Sequence, residues 1–482
     1  MTHPTSRVRL AGAGDALREQ RVAQQRRLHR HRAVNMATLA AAFSLFALYI
    51  AWLEVYGAGT VRSDELPMAV AIARGPEQAD GVDRAGLVKR GEYLARAGNC
   101  MTCHTSDKTR PFAGGVAMGT PFGTIYTPNI TPDPDTGIGQ WSDAEFLRAM
   151  HEGIGKTGER LYPAFPYPSY TKVTERDVFA IRAYLNTIVP VHNTPPANEL
   201  RFPFNQRWLM LFWNLFNFDE GRFVPDPKQS AEWNRGAYLV DGLAHCGECH
   251  TPRNFIQGLA SRARFSGAVQ AGWHAFNITP DKVSGIGNWN TADVVAYLSN
   301  GVAPGRAYAA GPMAKIIEDS TQYLSGEDLR SIAVYLRALP PVRGAEKQPR
   351  DTLGTPATAV TALRGAVLSG ANGVNGAQLF IANCASCHRW TGEGVGASAP
   401  GAYPSLIHNS VTGAADPANL VMVILHGVSR KTQQAEVWMP SFGNQLTDDQ
   451  IVALSNYVTA QFGYPRSSVS ATQVAQLRKQ PQ

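Results

Sequence analysis

Three stretches of the chain share one amphipathic signature: VTERDVFAIRAYL (173–185), LSGEDLRSIAVYL (324–336) and LTDDQIVALSNYV (446–458). In each, a Ser or Thr precedes acidic or amide residues, and apolar residues then recur three and four positions apart. That spacing lines Val178, Ile181 and Leu185 along one helical face, with equivalents in the other copies. Thr174, Ser325 and Thr447 are the predicted N-caps, with Asp177, Asp328 and Gln450 in the first turn. An earlier segment of each copy repeats as well: RGEYLARAGN (90–99), RGAYLVDGLAH (235–245) and GAQLFIAN (376–383). These put an aromatic and apolar face on a second helix, so each copy is expected to cross an N-terminal helix over a C-terminal one. Between them lie Gly- and Pro-rich stretches, among them NITPDPDTGIGQWSDAEF (129–146) and its parallel NITPDKVSGIGNWNTADV (277–294). The predicted fold class is mainly α: three tandem copies of one module, with long loops and short strands.

Two apolar runs fall outside the repeat. Ala33 to Leu53 carries no charge and, at about twenty residues, is long enough to cross a bilayer core. Eight arginines in residues 1–32 face only Asp15 and Glu19, which accounts for +6 of the chain's formal +7. A basic leader of this kind keeps the N-terminus cytoplasmic and sends everything after Glu54 outward. A cleaved signal peptide is the competing reading, with small residues around Gly57–Gly59, but both the apolar run and the basic region are long for one. An uncleaved transmembrane anchor over 33–54 is expected. The rest of the chain is nearly neutral, so no nucleic-acid-binding face is predicted. The second run, Trp208–Phe218, is too short to span. It sits in an aromatic connector whose surface must be covered by its own modules, by a partner subunit or by the membrane interface.

The predicted organisation is a basic leader (1–32), the anchor (33–54), a linker (55–85) and a first module (86–195). The aromatic connector (196–230), a second module (231–342), a flexible Ala/Thr/Gly-rich linker (343–370), a third module (371–465) and a polar tail (466–482) follow.

The chemistry lies where each N-terminal helix ends. Cys-x-x-Cys-His occurs at Cys100–His104, Cys246–His250 and Cys384–His388, and these motifs use all six cysteines. A dithiol redox motif or a zinc knuckle accounts for a single Cys pair. Neither explains a His after every pair and no cysteine left over. The pattern predicts three covalently bound haem c groups, attached through Cys100, Cys103, Cys246, Cys249, Cys384 and Cys387. His104, His250 and His388 are the expected proximal iron ligands. Methionine is the common sixth ligand in electron-transfer cytochromes. Met439 in WMPSFG and Met313 in GPMAKI stand just ahead of their closing helices and are assigned that role. In the first module the same slot holds Phe165, which cannot ligate iron. Met150, Met118, His151 or a five-coordinate iron remain, with Met150 preferred because its helix should cross the distal haem face. Trp141 and Trp289, with the NITPD stretches, are expected at the haem edge or its propionates.

Beyond the three haem motifs, PFGTIYTPNITPD (121–133), LYPAFPYPSYTKVT (161–174), SAEWNRGAYLV (230–240) and GPMAKI (311–316) extend the likeness over about residues 86–465. Together they resemble the triple-haem cytochrome c subunit of bacterial periplasmic membrane-bound dehydrogenases. That family includes cytochrome subunits of quinoprotein alcohol, flavin-dependent gluconate and fructose, and molybdenum-dependent aldehyde dehydrogenases. The resemblance implies class I-type cytochrome c domains, a catalytic dehydrogenase subunit as electron donor, and ubiquinone or a terminal oxidase as acceptor. It also implies haem domains in the periplasm, tethered to the bacterial inner membrane. Two departures, Phe165 in the Met slot and the uncleaved anchor, tilt the expectation towards the molybdenum aldehyde-oxidising branch. The alternative from another class is a haem enzyme, such as a peroxidase, using an open iron in the first module.

Overall fold

The structure, a computed structural model, describes residues 83–358, 374–396 and 403–480. The expected leader and anchor lie outside the described residues. No helix among the described residues is long and apolar enough to cross a membrane.

The first module begins with α1 (Arg84–Ala97), whose N-cap Asp83 accepts from the Gly86 amide, and continues into the short α2 (Cys100–His104). An antiparallel hairpin of β1 (Ala117–Thr120) and β2 (Gly123–Tyr126) follows. Next come α3 (Asp143–Glu152), opened by a Ser142/Glu145 capping box, and the single turn α4 (Tyr167–Tyr170). α5 (Glu175–Leu185) closes the module behind Thr174, whose side chain accepts from the Asp177 amide as predicted. β3 (Glu199–Leu200) then pairs with β2, and the connector folds into one helix, α6 (Leu209–Asn217).

The second module repeats the plan. α7 (Ala231–Tyr238) passes through a five-residue π-helical turn, Leu239–Leu243, to α8 (Gly247–His250). The π turn has a cause in the sequence. Arg235 stands one residue farther from its haem motif than Arg90 does, and a π turn absorbs one extra residue without ending the helix. The hairpin of β4 (Ala268–Gln270) and β5 (Trp273–Ala275), α9 (Thr291–Asn300) and the two-residue strands β6 (Val302–Ala303) and β7 (Ala307–Tyr308) come next. α10 (Gly311–Asp319) and the closing α11 (Gly326–Ala338), capped by Ser325, complete it. In the third copy the elements are α12 (Gly376–Asn383), α13 (Ala385–His388), α14 (Ala418–His426), the hairpin of β8 (Val428–Lys431) and β9 (Glu436–Met439), and α15 (Asp448–Phe462) capped by Thr447.

Each helix pair crosses on a glycine. A Cβ at Gly91, Gly236 or Gly376 would overlap the backbone carbonyl of Ala180, Ser331 or Ala453 on the facing helix. Only glycine lets the two backbones come that close. Around the crossings, Leu94, Val178 and Ile181 of the first module pack in one continuous apolar cluster with Leu239, Leu243, Leu329 and Ile332 of the second. The third has its own cluster, including Phe380, Met422, Leu454 and Phe462. Each such fully buried Leu, Ile or Phe contributes about 2 kcal/mol.

The first two modules are also joined by a reciprocal exchange. Asp177 accepts from Arg90 Nε of its own module at 2.7 Å and from the Tyr238 hydroxyl of the second at 2.6 Å. Asp328 accepts from Arg235 Nε and Nη2 of its own module, both at 2.7 Å, and from the Tyr93 hydroxyl of the first at 2.6 Å. The two R-G-x-Y-L segments thus lie about a local pseudo-two-fold axis, each tyrosine reaching across to the other module's buried carboxylate. Gln450 stands at the equivalent place in the third copy, which has no part in the exchange.

Three stretches behave differently from expectation. The linker expected to be flexible is pinned over its described half: Arg350 is buried and donates to the Ser284 carbonyl, and Asp351 accepts from Trp289 Nε1 at 3.1 Å. The polar tail forms α16 (Ala471–Arg478) behind a Ser470/Gln473 capping box, and Val474 is buried in the third core. Arg478 ties it to the Leu446 carbonyl and to Asp448. The NITPD stretches serve the loops themselves. Asn129 Oδ1 accepts from the Thr131 amide while its Nδ2 donates to the Val191 carbonyl, and Asn277 does the same with Thr279 and Val342. With its indole N–H bound to Asp351, Trp289 is held by the protein rather than left free for a propionate.

Candidate haem sites

α2, α8 and α13 carry the three Cys-x-x-Cys-His motifs at the ends of α1, of the π turn and of α12. Each histidine is fixed in the same way. His104 Nδ1 lies 2.8 Å from the Pro128 carbonyl, His250 Nδ1 2.7 Å from that of Phe276, and His388 Nδ1 2.9 Å from that of Pro404. A carbonyl only accepts, so Nδ1 carries the proton and Nε2 keeps its lone pair for a metal. Burial lowers the pKa of all three imidazoles and holds them neutral, the form in which they ligate.

No two of the six cysteines are joined in a disulfide. Burial, with the neighbouring thiol second, pushes Cys100 and Cys384 up to about 12; for Cys246, also at about 12, Asp241 is the next contributor. Such thiols are the reverse of the low-pKa nucleophiles of dithiol oxidoreductases. Among the described residues no three His, Cys, Asp or Glu side chains gather into a metal-binding group, so a zinc knuckle has no ligand set. Paired thiols beside a tautomer-locked imidazole fit haem c. Cys100 and Cys103, Cys246 and Cys249, and Cys384 and Cys387 would take the thioether bonds, and His104, His250 and His388 the iron. Bound there, the haem supplies one-electron redox chemistry at the iron.

The sixth-ligand candidates occupy different settings. Met439 ends β9 opposite Val428 and packs partly buried on the third core. Met313 lies in the first turn of α10, partly buried beside Tyr297, Ala314 and Ile317. Met150 is buried in α3 within the core of the first two modules. Met118 lies on β1, paired with Ile125. Phe165 packs against Tyr170 in a tilted ring pair with centroids 5.4 Å apart. His151 Nε2 is 2.9 Å from the Val173 carbonyl, which commits that ring nitrogen to the protein and leaves only the buried Nδ1 without a partner.

The three motifs belong to one packed array. Thr102, inside the first motif, donates to Asp319 of α10 at 2.7 Å, so the helix bearing Met313 abuts the first site. The Tyr170 hydroxyl donates to the Gly98 carbonyl, just before that motif. Its ring meets His245, just before the second motif, at 5.5 Å between centroids. On its other side α10 meets the β8–β9 hairpin that carries Met439: Arg430 Nη1 donates to the Ala309 carbonyl at 2.6 Å, and the Lys431 amide to Glu318. Sequence reasoning missed Tyr170, His245 and Asp319, because their partners are 72 to 217 residues away in the chain.

The cytochrome c family model matches residues 88–188 and 373–461. The chain is 42% identical over 406 residues to the fructose dehydrogenase cytochrome subunit of Gluconobacter japonicus, covering 81% of this chain and 82% of that protein. It is 37% identical over 415 residues to the gluconate 2-dehydrogenase cytochrome c subunit of Pantoea cypripedii, covering 83% and 91%. The cytochrome c subunit of the quinone-dependent alcohol dehydrogenase of Gluconacetobacter polyoxogenes is 36% identical over 407 residues, covering 82% and 84%. Histidines locked by backbone carbonyls beside paired buried thiols, and this extent of identity, lead to one conclusion: the chain belongs to the family of dehydrogenase cytochrome c subunits.

Proposed function

We propose that the chain relays electrons from the catalytic subunit of a periplasmic dehydrogenase, through three covalent haem c groups, to ubiquinone or a terminal oxidase. The segment 231–342, outside the family model's matches, acts as a cytochrome c module like its neighbours. The observation that supports this best is the recurrence of the histidine geometry. The middle site repeats the Nδ1-to-carbonyl lock of the other two, on a helix pair with the same glycine crossing. Contact between the first motif and α10, and between α10 and the Met439 hairpin, holds the three modules against one another, as a relay requires. In this reading His104, His250 and His388 would each ligate an iron, with Met313, Met439 and Met150 as the candidate further ligands. Residues 33–54 anchor the chain in the inner membrane, with the haem modules on the periplasmic side.

The donor is a catalytic dehydrogenase subunit, and Phe165 with the anchor favours the molybdenum aldehyde-oxidising branch. Co-purification from detergent extracts tests it. A dehydrogenase polypeptide should elute with the chain, and its substrate should reduce all the haem in the complex. A chain that elutes alone and turns over peroxide instead would support the haem-enzyme alternative.

Methionine ligation raises a haem's potential. Met313→Ala and Met439→Ala are each expected to lower the potential of one haem while all covalent haem is retained, as read by spectroelectrochemical titration. Met150→Ala is expected to do the same for the first haem. A Met150→Ala protein that titrates like the parent would remove Met150 from the ligand set and leave the first iron to another group.

A further inference from the structure

The connector helix α6 is built inside out. Its polar side faces the protein: Asn214 Oδ1 accepts from the Tyr167 hydroxyl, Asn217 Oδ1 from Asn254 Nδ2 at 3.1 Å, and Trp213 Nε1 donates to the Ile256 carbonyl at 2.9 Å. The opposite side is apolar and open. Leu211, Leu215 and Phe216 are 43%, 72% and 73% exposed, and Trp208, one turn ahead, is 56% exposed. These positions follow the three- and four-residue spacing of a single helical face. Phe202, at 79%, and Phe204 extend the surface at the helix entrance.

We propose that this face is a second footing on the membrane, seated in the interface of a bilayer that contains anionic phospholipid. No acidic side chain falls on the apolar stretch itself. From residue 201 to residue 218 the only charged side chains are Arg201, which is exposed, and Arg207, which donates to the Arg160 carbonyl, with Glu199 before them and Asp219 and Glu220 after. The short cationic flank, the tryptophan and the Leu/Phe face are the composition of a helix lying in the headgroup–acyl boundary. At nine residues α6 is about 14 Å long, too short to cross and suited to lying flat. A protein partner is less well served. An ordinary interface makes about ten hydrogen bonds, and this face offers only one side-chain donor, Trp208 Nε1. The inference deepens the membrane placement in the proposed function and does not depend on the electron path.

The test uses the full-length holoprotein reconstituted in phosphatidylethanolamine/phosphatidylglycerol vesicles. With every native cysteine in a thioether, Leu215→Cys or Phe216→Cys supplies a single thiol for a nitroxide label, and a labelling ratio above one would expose free native thiols. Glu327→Cys, at an exposed site outside the apolar face, is the comparison. Power saturation should show labels at 215 and 216 open to oxygen and shielded from a water-soluble nickel chelate, and the label at 327 the reverse. Three results overturn the proposal and can be told apart. Labels at 215 and 216 as open to nickel as that at 327, on protein that floats with the vesicles, place the face in water. Labels shielded from both reagents place it under protein. A holoprotein that does not float with vesicles removes both the footing and the anchor, while reduction of its haems by the partner dehydrogenase would leave the relay standing.

Discussion

Asp328→Ala is expected to destabilise the protein by about 3 kcal/mol, because it leaves the Arg235 guanidinium and the Tyr93 hydroxyl without their shared acceptor. Breaking a fully buried pair costs more, but Arg235 keeps 32% of its side chain in water, which places the effect at the low end. Tyr93→Phe, which removes one hydrogen bond and keeps the ring, should cost about 1 kcal/mol. The effect has a pH signature. Burial raises the pKa of Asp328, but hydrogen bonds from Arg235 and Tyr93 outweigh it, and the net value falls below the ordinary 3.8. A depressed carboxylate contributes its stability above the unfolded-state pKa and loses it as pH falls through the folded value. The gap between parent and variant should therefore be full near neutrality and close only below about pH 4. Thermal melting of the oxidised holoprotein, followed by Soret-region circular dichroism at a series of pH values, measures it. A gap that stays constant down to pH 3 would show that the carboxylate's charge is not what holds the two modules together.

The second large effect concerns the crossings. Gly236→Ala puts a methyl group into the Ser331 carbonyl and against the Tyr335 Cβ, neither of which is the far end of a flexible side chain. Overpacking of this kind costs about 3 kcal/mol, because α7 must separate from α11. The motif at the end of α7 moves with it, so under the proposed three-haem relay the variant should also lose haem from the second site, seen as a fall in pyridine haemochrome per polypeptide. Gly119→Ala is the control: nothing lies within 4 Å of its added Cβ, and stability should change by no more than about 0.5 kcal/mol. Equal losses from both variants would mean that the cost is one of glycine replacement in general and not of helix crossing.

Both effects arise where the sequence is only partly readable. The Cys-x-x-Cys-His motifs, the caps Thr174, Ser325 and Thr447 and the Val178–Ile181–Leu185 face were legible because each is local: a short spacing, or a hydroxyl and its amide, lies within eight residues. The capping box of α16, with Ser470 and Gln473 ahead of Val474 and Leu477, was equally local and was overlooked in a polar tail. The exchange of Tyr93 and Tyr238 between modules was not legible in the same way. Tyr93 reads as part of the aromatic and apolar face of its own helix, and only the pseudo-symmetric docking brings Asp328 to its hydroxyl from 235 residues away. NITPD repeats for a reason within the sequence, since Asn129 and Asn277 each bond the amide two residues on. Recurrence beside a haem motif pointed to the cofactor, whereas the asparagine amides reach the Val191 and Val342 carbonyls at the ends of the modules. The connector was legible as an apolar surface that needs cover, but not which side of its helix carries that surface: the asparagines of α6 take the inner side and the leucines the outer.

The mass of the intact mature polypeptide, taken after exposure to a thiol-alkylating reagent, tests the central claim most directly. Three added haems and no alkylated cysteine are predicted, with one haem mapped by peptide digestion to each of Cys100/Cys103, Cys246/Cys249 and Cys384/Cys387. An alkylated pair at any of these positions, above all at Cys246 and Cys249, would contradict the three-haem relay.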